Sequence, residues 1–227
     1  LLSDWGAKVI KIDPLPKSPE SSSVTGKRRG SDEQNLHRNK RGLTIDLKHP
    51  EGRRLFLSLV EKADIVVENF KSDVKNRLGI DYNTLKKYNP RIILGSISGF
   101  GQEGPYKERA GVDQIIQGMS GLMSITGHPD DGPLRAGIAV SDTSAGMYLG
   151  QGLLLALLHR EQTGQGQWVH TSLLESMLSK LDFQAARYTM DGEVPAQKGN
   201  SHPTQFPMLT YATRDSILNI ASSTKRM

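Results

Sequence analysis

The chain has 227 residues, 36% of them hydrophobic and 23% charged, with a formal net charge of +5. That length suits one large domain with a real core, and the balance excludes a disordered chain. There is no cysteine, which excludes disulfides, thiolate zinc sites, iron–sulfur clusters and a cysteine nucleophile, and no uncharged apolar run is long enough to span a bilayer.

In chain order, LLSDWGAK reads as helical, and Ala7 to Ile12 alternates like a strand after a turn at Gly6. Asp13 follows, and then Pro14, Pro16 and Pro19 with Ser18 and Ser21 to Ser23 break regular structure. A short strand is expected at Leu43 to Leu47 and a helix from Pro50, where proline and Glu51 are ordinary start signals. Asp64 to Phe70 has the continuous β-branched run of a fully buried parallel strand. Asn69 and Phe70 leave its carboxyl end, where open α/β sheets bind ligands; equally, Asn69 could cap a loop and Phe70 pack in the core. Arg91 to Ile97 is a second buried strand. The glycine-rich stretch from Ser98 to Pro105 matches neither phosphate-loop pattern and reads as a cluster of turns.

Gly137-Ile138-Ala139-Val140 reads as a short strand, followed by a sharp turn and a buried helix from Thr143 to Leu158. Asp142 then lies at a helix N-terminus, where unpaired N–H groups and the helix dipole favour an anion. Two roles remain open from the pattern: N-cap, for which aspartate is among the preferred residues, or a nucleophilic carboxylate. A turn at Thr163 to Gly166, a strand from Gln167 to Thr171 and a helix from Ser172 come next, with Gly164 just past a helix end. From Asp191 the texture becomes rich in glycine and proline, so residues 1–190 are expected to form one Rossmann-like α/β domain with a parallel sheet, and 191–227 a linker and the start of a smaller domain.

These blocks, LLSDWGAKVIKIDPL, NLHRNKRGLTIDLKHPEGR, ADIVVENF, RLGIDY, NPRIILGSISGFGQEGP, GVDQIIQGMSGLM, the Asp142 segment and HREQTGQGQWV, resemble in order and spacing the class III (CaiB/BaiF-type) CoA-transferases. That family includes formyl-CoA transferase and, as a divergent branch, α-methylacyl-CoA racemase. The resemblance implies the fold of that family and an incomplete chain, since members are usually longer. It implies coenzyme A as acyl-CoA co-substrate with no metal, a carboxylic acid as second substrate, an interlocked homodimer, and a cytoplasmic or mitochondrial enzyme with no nucleic-acid or membrane partner. Asp142 matches the nucleophile, which forms a mixed anhydride and then an aspartyl-CoA thioester. Asp113 matches a position where formyl-CoA transferase carries a glutamate that assists at the carbonyl. Asn69 and Phe70 match a pair that contacts CoA, Ile45 a backbone contact on the adenine side, and Arg77 a phosphate-binding arginine. Arg77 on a short helix could equally be a surface charge.

The cluster Lys27-Arg28-Arg29, Arg38, Lys40-Arg41, Lys48 and Arg53-Arg54 asks for an anionic partner. CoA, with its phosphates, fits, and Arg38 is the candidate ligand from this cluster; nucleic acid fits less well without aromatic interleaving, and a solvated basic face is the plain alternative. In the acidic place after the first strand stands Asp13, and the loop beyond it offers Lys17. A racemase would need a histidine where Val112 stands. A non-catalytic CoA-binding module is the reading from another class. In GNSHP, His202 occupies a segment where some transferases carry a glycine loop, and it reads as a loop residue.

Overall fold

A computed structural model describes residues 1–15 and 30–222; Pro16, Lys17, Ser18, Pro19, Ser21 to Ser23 and Lys27-Arg28-Arg29 lie outside the described residues. After a single turn at Leu2–Trp5, the elements are β1 (Val9–Asp13), α1 (Ser31–His37), β2 (Lys40–Thr44), α2 (Pro50–Val60), β3 (Ile65–Glu68), α3 (Val74–Leu78), α4 (Tyr82–Tyr88) and β4 (Ile93–Ser98). There follow α5 (Asp113–Met119), α6 (Leu122–Ile125), α7 (Val140–Thr163), β5 (Trp168–Ser172), α8 (Leu173–Lys180), α9 (Phe183–Ala186), β6 (Met208–Ala212) and β7 (Ile217–Ala221).

Two compact units divide the chain: Leu1–Ile97 with Met147–His170, and Ser98–Gly146 with Thr171–Met227. In the first, β1 and β2 pair in parallel, as do β3 and β4 within a sheet ordered β3-β4-β5. The parallel pairing of an α/β protein is therefore present, in two ladders. Strand limits differ from the sequence reading. β2 begins at Lys40, because its register is set by Val9 pairing with Lys40 and ends with Asp13 pairing with Thr44. Ile45 thus falls just past the strand. β3 is shorter than expected and not fully buried, since Val67 is 54% exposed.

Helix starts follow capping chemistry. His49 Nδ1 accepts the Glu51 N–H at 3.2 Å with Pro50 at the first position of α2, and Asp81 caps α4 through the Thr84 N–H at 3.1 Å. Phe56, Leu57 and Val60 of α2 pack with Ile80, Leu85, Ile92 and Leu94. Leu149, Leu153 and Ala156 recur at helical spacing on α7 and pack on Ile93. Arg160 closes that helix: its guanidinium bonds Asp64 Oδ1 at 2.9 Å and reaches the carbonyls of Asp64 and Arg91. Gly164, at φ 73°, takes the left-handed turn that ends the helix.

The second unit is mainly helical, with an antiparallel β6–β7 hairpin pairing Met208 with Ala221 and Ala212 with Ile217. Ser172 caps α8 through the Glu175 N–H at 3.1 Å. The backbones at Gly99 and Gly111 touch so closely that a methyl group on Gly99 would lie 2.5 Å from Gly111. His202 Nδ1 accepts the N–H groups of Thr204 and Gln205 at 3.2 and 3.1 Å and so holds a turn.

Leu153 is 1% exposed, so Leu153→Ala is expected to cost about 2–5 kcal/mol through lost transfer energy and a residual cavity. Denaturant unfolding of the purified variant checks this, and a loss under about 1 kcal/mol would show that the α7 packing is not what holds this core.

Candidate active site

α7 begins at Val140, three residues before the expected start, and the Gly137 to Val140 run forms no strand. The reason is a side chain distant in sequence. Gln117, fully buried on α5, accepts the Ala136 N–H at 2.8 Å and donates to the Ile138 carbonyl at 3.1 Å. It thereby takes backbone groups that a neighbouring strand would have used. Asp142 consequently lies inside the first turn of α7 instead of at the N-cap, which removes the plain capping role.

Asp113 supplies the cap. This carboxylate opens α5 and is 7% exposed. One oxygen accepts both the Ser141 N–H at 3.0 Å and the Ser141 hydroxyl at 2.8 Å. The other accepts Gln117 Nε2 at 2.7 Å and an Arg135 guanidinium nitrogen at 3.0 Å. Burial by itself would raise the Asp113 pKa, but the bonds from Ser141, Gln117 and Arg135 outweigh it and hold the group below the usual aspartate value. Asp113 is therefore an ionised anchor beneath the first turn of α7. Gln117, Arg135 and Ser141 were not singled out in the sequence; the i, i+4 spacing of Asp113 and Gln117 on one helix is the signal that was available.

Asp142 differs in each respect. It is exposed, and among the described residues its carboxylate receives no side-chain hydrogen bond. Although its surface is open to solvent, desolvation by the atoms around it and, second, the nearby Asp113 charge push its pKa above the ordinary 3.8, while the helix N-terminus acts in the opposite sense. Two neighbouring carboxylates thus have separate characters, one committed and ionised, the other unencumbered and more basic. Of the first-turn N–H groups, Ser141's goes to Asp113 and Thr143's to the Ala139 carbonyl at 3.1 Å, which narrows the oxyanion donors that the helix start can offer.

The residues expected to hold CoA lie in the other compact unit. Ile45 is 4% exposed, just past the carboxyl end of β2. Asn69, exposed, and Phe70, half-buried against the core, follow β3. Arg77, on α3, is 71% exposed and pairs with Asp73 at 2.9 Å, a weak interaction at such exposure. Arg38 is more committed, bonding Asp4 at 2.9 Å and the Asn35 carbonyl at 2.6 Å. Asp13, at the end of β1, is 2.9 Å from Lys11. An open concavity lined by Pro50, Arg53, Arg54, Leu57, Ser58, Glu61 and Tyr88 contains none of these residues. Among the described residues there is no cluster of three or more metal-ligating side chains and no helix long and apolar enough to cross a membrane.

A model of CoA-transferase family III matches residues 1–227. The chain belongs to CoA-transferase family III. The succinate–glutarate CoA-transferase of Agrobacterium fabrum is 41% identical over 97% of the chain and 58% of its own length. The succinyl-CoA:mesaconate CoA-transferase of Haloarcula hispanica is 39% identical over 98% of the chain and 59% of its own length. A crystal structure of a CaiB/BaiF family protein from Brucella suis superposes with a TM-score of 0.86 at 40% identity, over 97% of the chain and 60% of that protein. The chain thus spans about three-fifths of the length of these family III relatives.

Two variants test this electrostatic arrangement. A carboxylate whose folded pKa is raised disfavours the folded state once ionised, so Asp142→Asn is expected to raise Tm at pH 7. That gain should vanish below the ordinary aspartate value of 3.8, where both states carry a neutral group. Asp113→Ala, which leaves buried donors unsatisfied, is expected to cost at least about 2 kcal/mol at pH 7. Because the Asp113 pKa is depressed below the ordinary 3.8, the ionic part of this loss should shrink as pH falls from that value through the lower folded one and be gone beneath it. Thermal melts across pH read both; an unchanged Tm for Asp142→Asn would show that Asp142 is not electrostatically strained.

Proposed function

We propose that the protein is a CoA-transferase that moves CoA from an acyl-CoA thioester to a carboxylic acid, with Asp142 as nucleophile. The observation that carries this reading is an unencumbered, more basic carboxylate in the first turn of α7, beside a second carboxylate that holds that turn through Ser141 and is itself held by Gln117 and Arg135. Family membership supports the reaction type.

In the first step an Asp142 oxygen forms a bond to the thioester carbonyl carbon and the carbon–sulfur bond breaks, releasing CoA thiolate and leaving a mixed anhydride. The thiolate then attacks the Asp142 carbonyl carbon. The donor acid leaves as its carboxylate, carrying the bridging oxygen, and an aspartyl-CoA thioester remains. The acceptor carboxylate attacks that thioester and expels the thiolate, forming a second anhydride. Attack of the thiolate on the acceptor acyl carbon gives the new thioester and restores Asp142. No net proton transfer is needed, which suits a carboxylate nucleophile, and water must be kept out because each intermediate is hydrolysable. Asp113 supports this chemistry by holding Ser141 and by keeping a negative charge near Asp142, which raises the basicity of the nucleophile.

Asn69, Phe70, Ile45 and Arg77, with Arg38, make up the proposed CoA-binding set. The position of Asn69 and Phe70 after β3 and of Ile45 after β2 supports it, because ligands of parallel α/β sheets bind beyond the carboxyl ends of the strands. The names of the Agrobacterium and Haloarcula relatives favour short dicarboxylic acids as donor and acceptor. A homodimer belongs to the same reading. A racemase is disfavoured because Val112 offers no proton-exchanging group, so no α-proton exchange in heavy water is expected.

The complete gene product, incubated with succinyl-CoA and glutarate and quenched with hydroxylamine, is expected to carry a hydroxamate on the peptide containing Asp142. Asp142→Asn is expected to lower kcat by at least about a thousandfold. An unmodified Asp142 peptide in a protein that turns over would overturn the covalent route.

A further inference from the structure

Glu68, the last residue of β3, has a side chain only 4% exposed. One carboxylate oxygen accepts the Phe70 N–H at 2.7 Å. The other stands 3.7 Å from the ammonium of Lys75, an equally buried residue of α3. Lys75 also donates to the Ser72 carbonyl at 3.1 Å and lies 5.2 Å from the centre of the Trp168 ring. The Trp168 indole N–H is in turn fixed by the Ser96 hydroxyl at 2.9 Å. Ser96 is the β4 residue in register with Glu68, so the chain of contacts returns to where it began.

A buried ion pair is a weak source of stability, since apolar replacements of similar size are often neutral or stabilising. What this pair supplies is geometry. It ties the carboxyl end of β3 to α3, and the stretch between begins with Asn69 and Phe70. Glu68 holds the Phe70 backbone directly, and Lys75 holds the Ser72 backbone at the other end. Arg77 sits two residues beyond Lys75 on the same short helix.

We propose that Glu68 and Lys75 are positioning residues for coenzyme A: their buried pair sets the conformation of the β3–α3 connection that presents Asn69, Phe70 and Arg77 to the ligand. The proposal rests on the CoA reading given above. Neither residue need touch CoA. Their effect is on the affinity for acyl-CoA and not on the chemistry at Asp142.

The test compares Glu68→Gln, Lys75→Met and the Glu68→Gln/Lys75→Met double variant of the complete gene product, with Asn69→Ala and Arg77→Ala as direct probes of the CoA site. Circular dichroism and Tm establish that each variant is folded. If a single variant leaves one buried charge unbalanced and fails to fold, the neutral double variant still carries the test. The expected result is a rise in KM for succinyl-CoA of roughly tenfold, equivalent to about 1.4 kcal/mol, with kcat retained. Where the single variants fold, the double variant should resemble either one, because both act through one pair. A folded double variant with lower Tm and unchanged KM, beside Asn69→Ala and Arg77→Ala variants that lose affinity, would overturn the positioning role alone. If Asn69→Ala and Arg77→Ala also keep normal KM, the CoA site itself is wrong and the proposal falls with it.

Discussion

The first turn of α7 depends on one buried carboxylate. Asp113 accepts the Ser141 N–H, the Ser141 hydroxyl, Gln117 and Arg135, and this concentration of donors is what makes an ionised group tolerable at 7% exposure. Its bonds to Ser141, together with those of Gln117 to the backbone at Ala136 and Ile138, set where the helix begins, and the start of the helix decides that Asp142 falls within the first turn. The same anion makes its neighbour harder to ionise. Positioning and basicity of the proposed nucleophile thus have a common origin. This gives Asp113 a role that needs no contact with substrate, and the shorter side chain relative to a glutamate is suited to it.

The other compact unit uses buried charge in a related way. Arg160 reaches the backbone of two strand ends and the carboxylate of Asp64, so the helix that carries Leu149, Leu153 and Ala156 is fixed at its last turn as well as along its apolar face. Glu68 and Lys75 do the same for a loop. Glu68 and Lys75 are both buried and each also has a backbone partner, the Phe70 N–H and the Ser72 carbonyl, the circumstance in which a desolvated pair defines one geometry rather than merely adding attraction; Arg160 is buried as well, but its partner Asp64 is exposed.

Much of this was legible in the sequence where the determinants are local. Pro50 with its capping His49, Gly164 after α7, and Ser172 before α8 are signals carried within a few residues, and the elements begin or end there. The apolar run within Arg91 to Ile97 likewise yields a buried strand at Ile93–Ser98. The departures share a physical cause, which is partnership across long sequence distance. Gln117 captures the backbone at Ala136 and Ile138, so an apolar run that looks like a strand is not one. Pairing with Val9 starts β2 at Lys40, ahead of the apolar residues that suggested Leu43. Asp142 was found by its local setting and by resemblance, but Ser141, Arg135 and Gln117, which place it, belong to contacts that span 19 to 28 residues. Glu68 lies in the ADIVVENF block and Lys75 two residues ahead of RLGIDY, and nothing in the pattern shows that they meet.

The proposed covalent route requires that an Asp142 oxygen exchange with the substrate acids. In the stepwise route the acceptor enters with its own carboxylate oxygen as the anhydride bridge, and the final attack on the acyl carbon leaves that oxygen on Asp142. A single turnover with acceptor labelled in both carboxylate oxygens should therefore place one heavy oxygen in the Asp142 side chain, seen by mass on the peptide that contains it. A peptide that stays unlabelled while labelled acyl-CoA accumulates would mean direct transfer between bound substrates, and Asp142 would not be the nucleophile.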